Sequence, residues 1–250
     1  MMNEVKIPFD INPVPAYYAE PEIGSKHPAI ILIHEIWGLN NHIKDIANRF
    51  MQQGYAVLVP DLLADTNISE KVSAEVFEIF KNPEKRDEVQ TKMREVFAPV
   101  HSPEFATETI AKLQACFTYL QQKETIGDNI SVVGFCFGGT YAYALAAEQP
   151  QLKAAVPFYG HAPSSEKIQM IACPVLAFYG GQDAELSSKL PELNETMALF
   201  HKKFQAVEYP DVAHAFFNDT NPDRYNKAAA DDAWQRMLEF LKENMYAASE

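Results

Sequence analysis

The chain has few cysteines, a deficit of positive charge and no long apolar run. Its three cysteines, Cys116, Cys136 and Cys173, are an odd number without metal-type spacing, which argues against a disulfide framework. Lysine and arginine number 21 against 34 acidic residues, and the net charge of −13 argues against nucleic acid or an anionic membrane as partner. No stretch approaches the length of a membrane span. The first ten residues carry Glu4, Lys6 and Asp10 without an apolar core, so no secretion signal is read there. There is no glycine-rich phosphate loop ending in Lys-Ser/Thr and no helix with paired histidines, so no cofactor and no metal are expected. Repeats and low-complexity tracts are missing as well. These exclusions leave a cytoplasmic protein acting on a small molecule, a monomer or small homo-oligomer. Its 250 residues, 47% of them hydrophobic, suffice for one α/β domain over 1–250.

What is present is a rhythm. Short apolar runs rich in valine and isoleucine recur at 29–33, 56–59, 130–133, 154–158, 175–179 and 206–209, as expected of parallel strands covered on both faces. Helical patterns lie between them at 42–53, 104–122, 140–148 and 191–203, and the last runs over 226–245. Such alternation predicts a mostly parallel, doubly wound sheet with helices on both faces. Segments near 5–7 and 16–19 are expected to add short antiparallel strands at one edge. The charged stretch 61–104 interrupts the rhythm and is expected to form a helical cap-like excursion over the sheet edge, carrying Phe77, Phe80, Met93 and Phe97.

The most informative motif is Gly134-Phe135-Cys136-Phe137-Gly138-Gly139, directly after the strand 130–133 and directly before a helix. Flanking glycines permit a tight strand-to-helix corner that lifts Cys136 above the sheet. The helix N-terminus behind it favours negative charge, and thiolate is the form of cysteine that attacks. The N–H of Phe137 is the natural first donor to an oxyanion. A buried structural cysteine is the ordinary reading of an isolated thiol, but the corner points instead to acyl chemistry on an ester or lactone. Cys116 and Cys173 read as packing residues.

In this architecture the acid and the histidine follow the nucleophile along the chain. The strand 175–179 runs into Gly180-Gly181-Gln182-Asp183, and 206–209 leads to His214. Asp183 is therefore the candidate to orient His214, and His214 the candidate base and general acid. Glu185 and Asp211 are rivals for the acid. His27, His42, His101 and His201 sit in polar or helical contexts that suggest surface. A second constellation, His34-Glu35-Ile36-Trp37-Gly38, follows the strand 29–33. The Ile36 N–H is a candidate second oxyanion donor. Glu35, at the end of so apolar a strand, needs a partner: the neighbouring thiol on one reading, an ion pair with Lys44 or an arginine on the other. Trp37, Phe135 and Asn218 are candidate substrate contacts.

Glu35, the cysteine corner, Gly180-Gly181-Gln182-Asp183 and His214-Ala215-Phe216 together resemble the dienelactone hydrolase (carboxymethylenebutenolidase) family, from about residue 30 to the last helix. The resemblance implies an α/β-hydrolase fold and a Cys136-Asp183-His214 triad that forms a thioester acyl-enzyme. It implies further that Glu35 pairs with the resting thiol and helps generate thiolate when substrate binds, with Phe137 and Ile36 as oxyanion donors. One position departs: members that process the dienelactone carboxylate carry an arginine four residues after the catalytic histidine, where this chain has Asn218. Arg86, Arg94 and Arg224 are candidates to replace it. The expected activity is hydrolysis of an ester or a dienelactone-like enol lactone. A carboxylesterase for small neutral esters is the alternative, and a redox-sensing thiol protein without hydrolysis is an alternative of another class.

Overall fold

Seven consecutive buried residues make β3 (His27–Ile33) the centre of the molecule, because a strand covered on both faces has no side left for polar residues. The structure, a computed structural model, describes residues 2–22, 26–66, 68 and 96–246. Around β3 lie β1 (Met2–Ile7), β2 (Val14–Ala19), β4 (Ala56–Pro60), β5 (Ile126–Phe135), β6 (Ala155–Phe158), β7 (Val175–Gly180) and β8 (Phe204–Tyr209). They form one eight-stranded sheet in the order β1-β2-β4-β3-β5-β6-β7-β8. β1 pairs with β2 and β2 with β4 antiparallel; every pairing from β4 onward is parallel. The antiparallel strands lie at one edge, where the sequence places them.

The helices that cover the sheet follow local signals. α1 (Asn41–Gln52) is capped by the Asn40 side chain, which accepts from the Ile43 N–H, and it turns Ile43, Ile46, Ala47 and Phe50 inward. α2 (Pro103–Gln121) starts on Ser102 and Pro103, and α3 (Phe137–Glu148) starts at the cysteine corner. Two short helices, α4 (Ser165–Met170) and α5 (Ala184–Ser187), are too brief to show a period in the sequence. α6 (Leu190–Leu199) stops short of the expected 203, and the chain turns at His201, at a φ of 53°, to enter β8. α7 (Lys227–Met245) presents Ala230, Trp234, Met237 and Leu241 to the core.

Most of the expected excursion at 61–104, with Phe77, Phe80, Met93, Arg86 and Arg94, lies outside the described residues. Its described ends gather Leu63, Ile68 and Val100 in a small cluster, against which Ile36, Phe97 and Phe137 pack. Two of the four histidines expected at the surface are corrected. His27 and His42 are buried, His42 because the first turn of α1 faces the loop after β8. His101 and His201 are exposed.

Close backbone packing makes the corner intolerant of side chains. A Cβ on Gly134 would meet the Gly138 carbonyl oxygen at 2.0 Å, and one on Gly138 would meet that of Ile33 at 2.3 Å. Neither neighbour is a flexible side chain that can swing away. Gly134→Ala is expected to destabilise the fold by about 2 kcal/mol or more, read as a lower midpoint in urea; an unchanged midpoint would contradict this packing.

Candidate active site

β3, β5, β6, β7 and β8 lie side by side and run the same way, so the residues after them emerge along one edge of the sheet. Ligands of open parallel sheets bind at this C-terminal edge. Glu35 follows β3, Cys136 follows β5, Tyr159 follows β6, Asp183 follows β7 and His214 follows β8.

Cys136 sits at φ 55° and ψ −112°, a left-handed conformation that a non-glycine residue adopts at a cost. Backbone bonds hold it there: its N–H donates to the Phe158 carbonyl at 3.0 Å, and its own carbonyl accepts from the Thr140 N–H at 3.1 Å. All three cysteines are free, and only Cys136 is partly exposed. Burial pushes the Cys116 and Cys173 thiols up to about 12, so both are poor nucleophiles.

His214 Nδ1 meets Asp183 Oδ2 at 2.6 Å. Burial works against a charged imidazole here, but hydrogen bonds to Asp183 and Cys136, and the charges of both, push His214 up to about 10. Burial likewise works against the Asp183 carboxylate, yet the His214 bond and charge hold it below its ordinary value. The other Asp183 oxygen accepts from the Leu186 N–H at 3.5 Å and caps α5. A bond from the Gln182 N–H to the Val212 carbonyl, at 3.0 Å, ties the two loops together. The Tyr159 ring packs on the imidazole, 4.9 Å between centroids. The rival acids are elsewhere: Glu185 is exposed beside Lys189 and His161, and Asp211 is exposed.

Glu35 is buried, and both its oxygens are taken. Oε1 accepts from the Tyr159 hydroxyl at 3.2 Å, and Oε2 from the Asn218 amide at 2.6 Å. Lys44 instead lies over the Tyr17 ring. Burial pushes the Glu35 carboxyl above its ordinary value, opposed by the charges of His42 and His214 and by its two hydrogen bonds.

His34 organises the loop that carries Glu35. The Leu62 N–H donates to His34 Nε2 at 3.1 Å, so that nitrogen bears no proton, and Nδ1–H donates to the Glu35 carbonyl at 2.6 Å. The ring is neutral, in keeping with burial lowering its affinity for a second proton. It stacks on Phe137, 5.8 Å between centroids and 8° from parallel. It therefore touches both segments that hold the candidate oxyanion donors. Among the described residues, neither the Ile36 nor the Phe137 N–H has a protein acceptor.

Two candidate substrate contacts are corrected. Phe135 is fully buried between Phe158 and Phe217, because β5 runs on through residue 135 and turns that ring into the core. Asn218 is buried and its amide donates to Glu35, so it binds the site's carboxylate and does not stand exposed to contact a substrate. Trp37 lies edge-on to Phe97, 6.0 Å between centroids. Arg224 is exposed. Tyr159 is a site residue that the sequence motifs do not single out. Its place at the end of β6 was a usable signal, but the reach of its hydroxyl to Glu35 was not.

The topology and the layout of loops at this edge define an α/β-hydrolase fold. The chain belongs to the dienelactone hydrolase family, whose model matches residues 14–245, and is a hydrolase of esters or lactones. A protein of Saccharolobus solfataricus named "Putative carboxymethylenebutenolidase" is 35% identical, over 97% of this chain and 98% of its own. A Klebsiella pneumoniae structure titled a "Putative Dienelactone Hydrolase" superposes with a TM-score of 0.80 at 27% identity, over 97% of this chain and 98% of the other. Dienelactone hydrolase from Anabaena variabilis shares the fold at a TM-score of 0.70 and 16% identity, over 98% of each chain. Among the described residues, no helix is long and apolar enough to cross a membrane.

Proposed function

We propose that this protein hydrolyses an enol lactone or activated ester through Cys136 as nucleophile, with His214 and Asp183 as its partners, in a reducing cytoplasm. The observation that carries the reading is the bond of 2.6 Å between His214 and Asp183, at the ligand-binding edge of the sheet that also carries a strained, partly exposed thiol. The Glu35 carboxylate takes the thiol proton when substrate enters, leaving thiolate beside the His214 imidazolium. Sulfur attacks the carbonyl carbon, and the Ile36 and Phe137 N–H groups hold the oxyanion. The C–O bond breaks, the enolate leaves with the His214 proton, and a thioester remains. Neutral His214 then takes a proton from water, hydroxide attacks the thioester, and the released thiolate regains its proton from Glu35. An enolate leaves readily enough to make thioester formation favourable, which is why the substrate class is enol lactones and activated esters.

Acid-quenched intact-mass analysis during turnover of an enol ester tests this. One acyl group is expected on the peptide containing Cys136, removable by hydroxylamine. Hydrolysis with no acyl group at that peptide would overturn the reading. Rapid alkylation of Cys136 without hydrolysis across an ester panel would favour a redox-sensing thiol.

The His34 clamp makes a smaller prediction. His34→Ala removes both bonds that hold the loop and is expected to lower kcat about ten- to a hundredfold with little change in KM. A change confined to KM would mean that His34 does not act on the oxyanion donors.

A further inference from the structure

Tyr159, directly after β6, sits at a φ of 35°, a left-handed conformation that a non-glycine residue takes at a cost. Cys136 and Ala215, the residue after His214, share that conformation at this sheet edge, at 55° and 62°. Backbone packing imposes the bend at Tyr159. Its N–H donates to the Phe178 carbonyl on β7 at 2.7 Å, and the His161 N–H donates to Thr140 Oγ1 on α3 at 3.0 Å. Between these two bonds, a Cβ on Gly160 would meet the Gly139 carbonyl carbon at 2.2 Å, so the loop is pressed against the first turn of the helix behind Cys136.

What the bend secures is the direction of the side chain. The buried Tyr159 ring lies 4.9 Å from the His214 imidazole, between centroids, and edge-on to Phe216 at 5.5 Å. Its hydroxyl donates to Glu35 Oε1 at 3.2 Å. Burial pushes that hydroxyl well above its ordinary value, so it stays protonated and remains a donor. One side chain thus touches both the carboxylate that receives the thiol proton and the imidazole that activates water. The other Glu35 oxygen is held independently: the Asn218 amide donates to it at 2.6 Å, and Thr220 fixes that amide by donating its N–H and its hydroxyl to Asn218 Oδ1, at 3.0 and 2.6 Å.

We infer that Tyr159 is a positioning residue with two separable parts: its hydroxyl holds Glu35 as acceptor of the Cys136 proton, and its ring holds the His214 imidazole for the attack of water. The inference rests on the reading of Glu35 as that acceptor. Strain at the end of β6 is kept because the surrounding backbone bonds fix the residue there, and the strained residue is the one that joins the two groups.

The test separates acyl transfer from thioester hydrolysis on a neutral enol ester. kcat/KM reports the steps up to thioester formation, and the decay of acyl-enzyme once substrate is spent, followed by acid-quenched intact mass, reports its hydrolysis. Tyr159→Phe keeps the ring and removes the hydroxyl, while Asn218 still holds Glu35. It is expected to lower kcat/KM about tenfold and to change the decay less than about twofold. Tyr159→Leu removes both parts and is expected to slow the decay about tenfold or more as well. In the Glu35→Gln background, Tyr159→Phe is expected to add less than about a twofold loss, because the hydroxyl acts through that carboxylate. A merely structural role would lower both rates together in Tyr159→Phe; that result, an unchanged kcat/KM, or an equal loss in both backgrounds overturns the inference. A decay in Tyr159→Leu no slower than in Tyr159→Phe overturns the part given to the ring. Wild-type kcat/KM in Glu35→Gln overturns the reading of Glu35 itself. If Tyr159→Leu fails to fold, Tyr159→Phe, which fills the same space, decides alone.

Discussion

Cys136→Ala is expected to lower kcat on an enol ester by about a thousandfold or more. The substitution removes the one atom that bonds to the acyl carbon, so the thioester route closes and only hydroxide in solution or poorly placed water is left to attack. Cys136→Ser separates nucleophilicity from shape. It keeps the corner and its backbone bonds, but a hydroxyl at that corner must be deprotonated by a base arranged for a thiol. Its activity is expected to stay close to that of the alanine variant. Steady-state kinetics with matched circular dichroism checks both. Turnover near wild type by Cys136→Ala would end the proposal.

Asp183→Asn carries the second large effect, about a 10³- to 10⁴-fold loss of kcat. The carboxylate presents an acceptor to His214 Nδ1 at 2.6 Å, fixing which nitrogen faces the thiol. An amide that turns its NH₂ toward the ring stabilises the other tautomer. Asparagine still caps helices well, so the bond to the Leu186 N–H survives and the loss is not one of folding. The pH dependence of stability gives a separate readout. His214 is held up at about 10, above its ordinary 6.5, so the stability it contributes is complete below about 6.5 and is lost as pH rises through about 10. Urea midpoints measured across that window are expected to fall at the alkaline end in the wild type and to change less in Asp183→Asn. Equal slopes in the two proteins would show that the pairing does not raise His214.

A sensor role for Cys136 needs a resolving thiol within reach. Cys116 and Cys173 are buried, with thiols pushed up to about 12, and neither is disposed to exchange.

Much of this architecture was legible because it rests on local rules. The unbroken apolar run Ala29-Ile30-Ile31-Leu32-Ile33 reads as a strand with both faces covered, and β3 is that strand. Glycines at 134 and 138 announce a corner too tight for a side chain, and the backbone contacts there leave no room for one. Asp183 and His214 were legible by their order after successive strands. Phe135 was misread because the corner's motif says nothing about where β5 ends, and pleat direction alone decides whether that ring faces the core. His42 was misread because a polar residue in a helix's first turn has no face until the helix is docked. Lys44, named with an arginine as the alternative to the thiol as partner of Glu35, is near it in sequence but lies over Tyr17 instead.

The amino-acid order by itself determined which residue types stand at the strand ends and why a thiol sits at the sharpest of them, since steric limits on the backbone act between neighbours. Only the folded chain decided what surrounds Glu35, bringing Tyr159 and Asn218 to one buried carboxylate. Hydrogen bonding to a buried carboxylate depends on distance through space, and separations of up to 183 residues along the chain carry no trace of it.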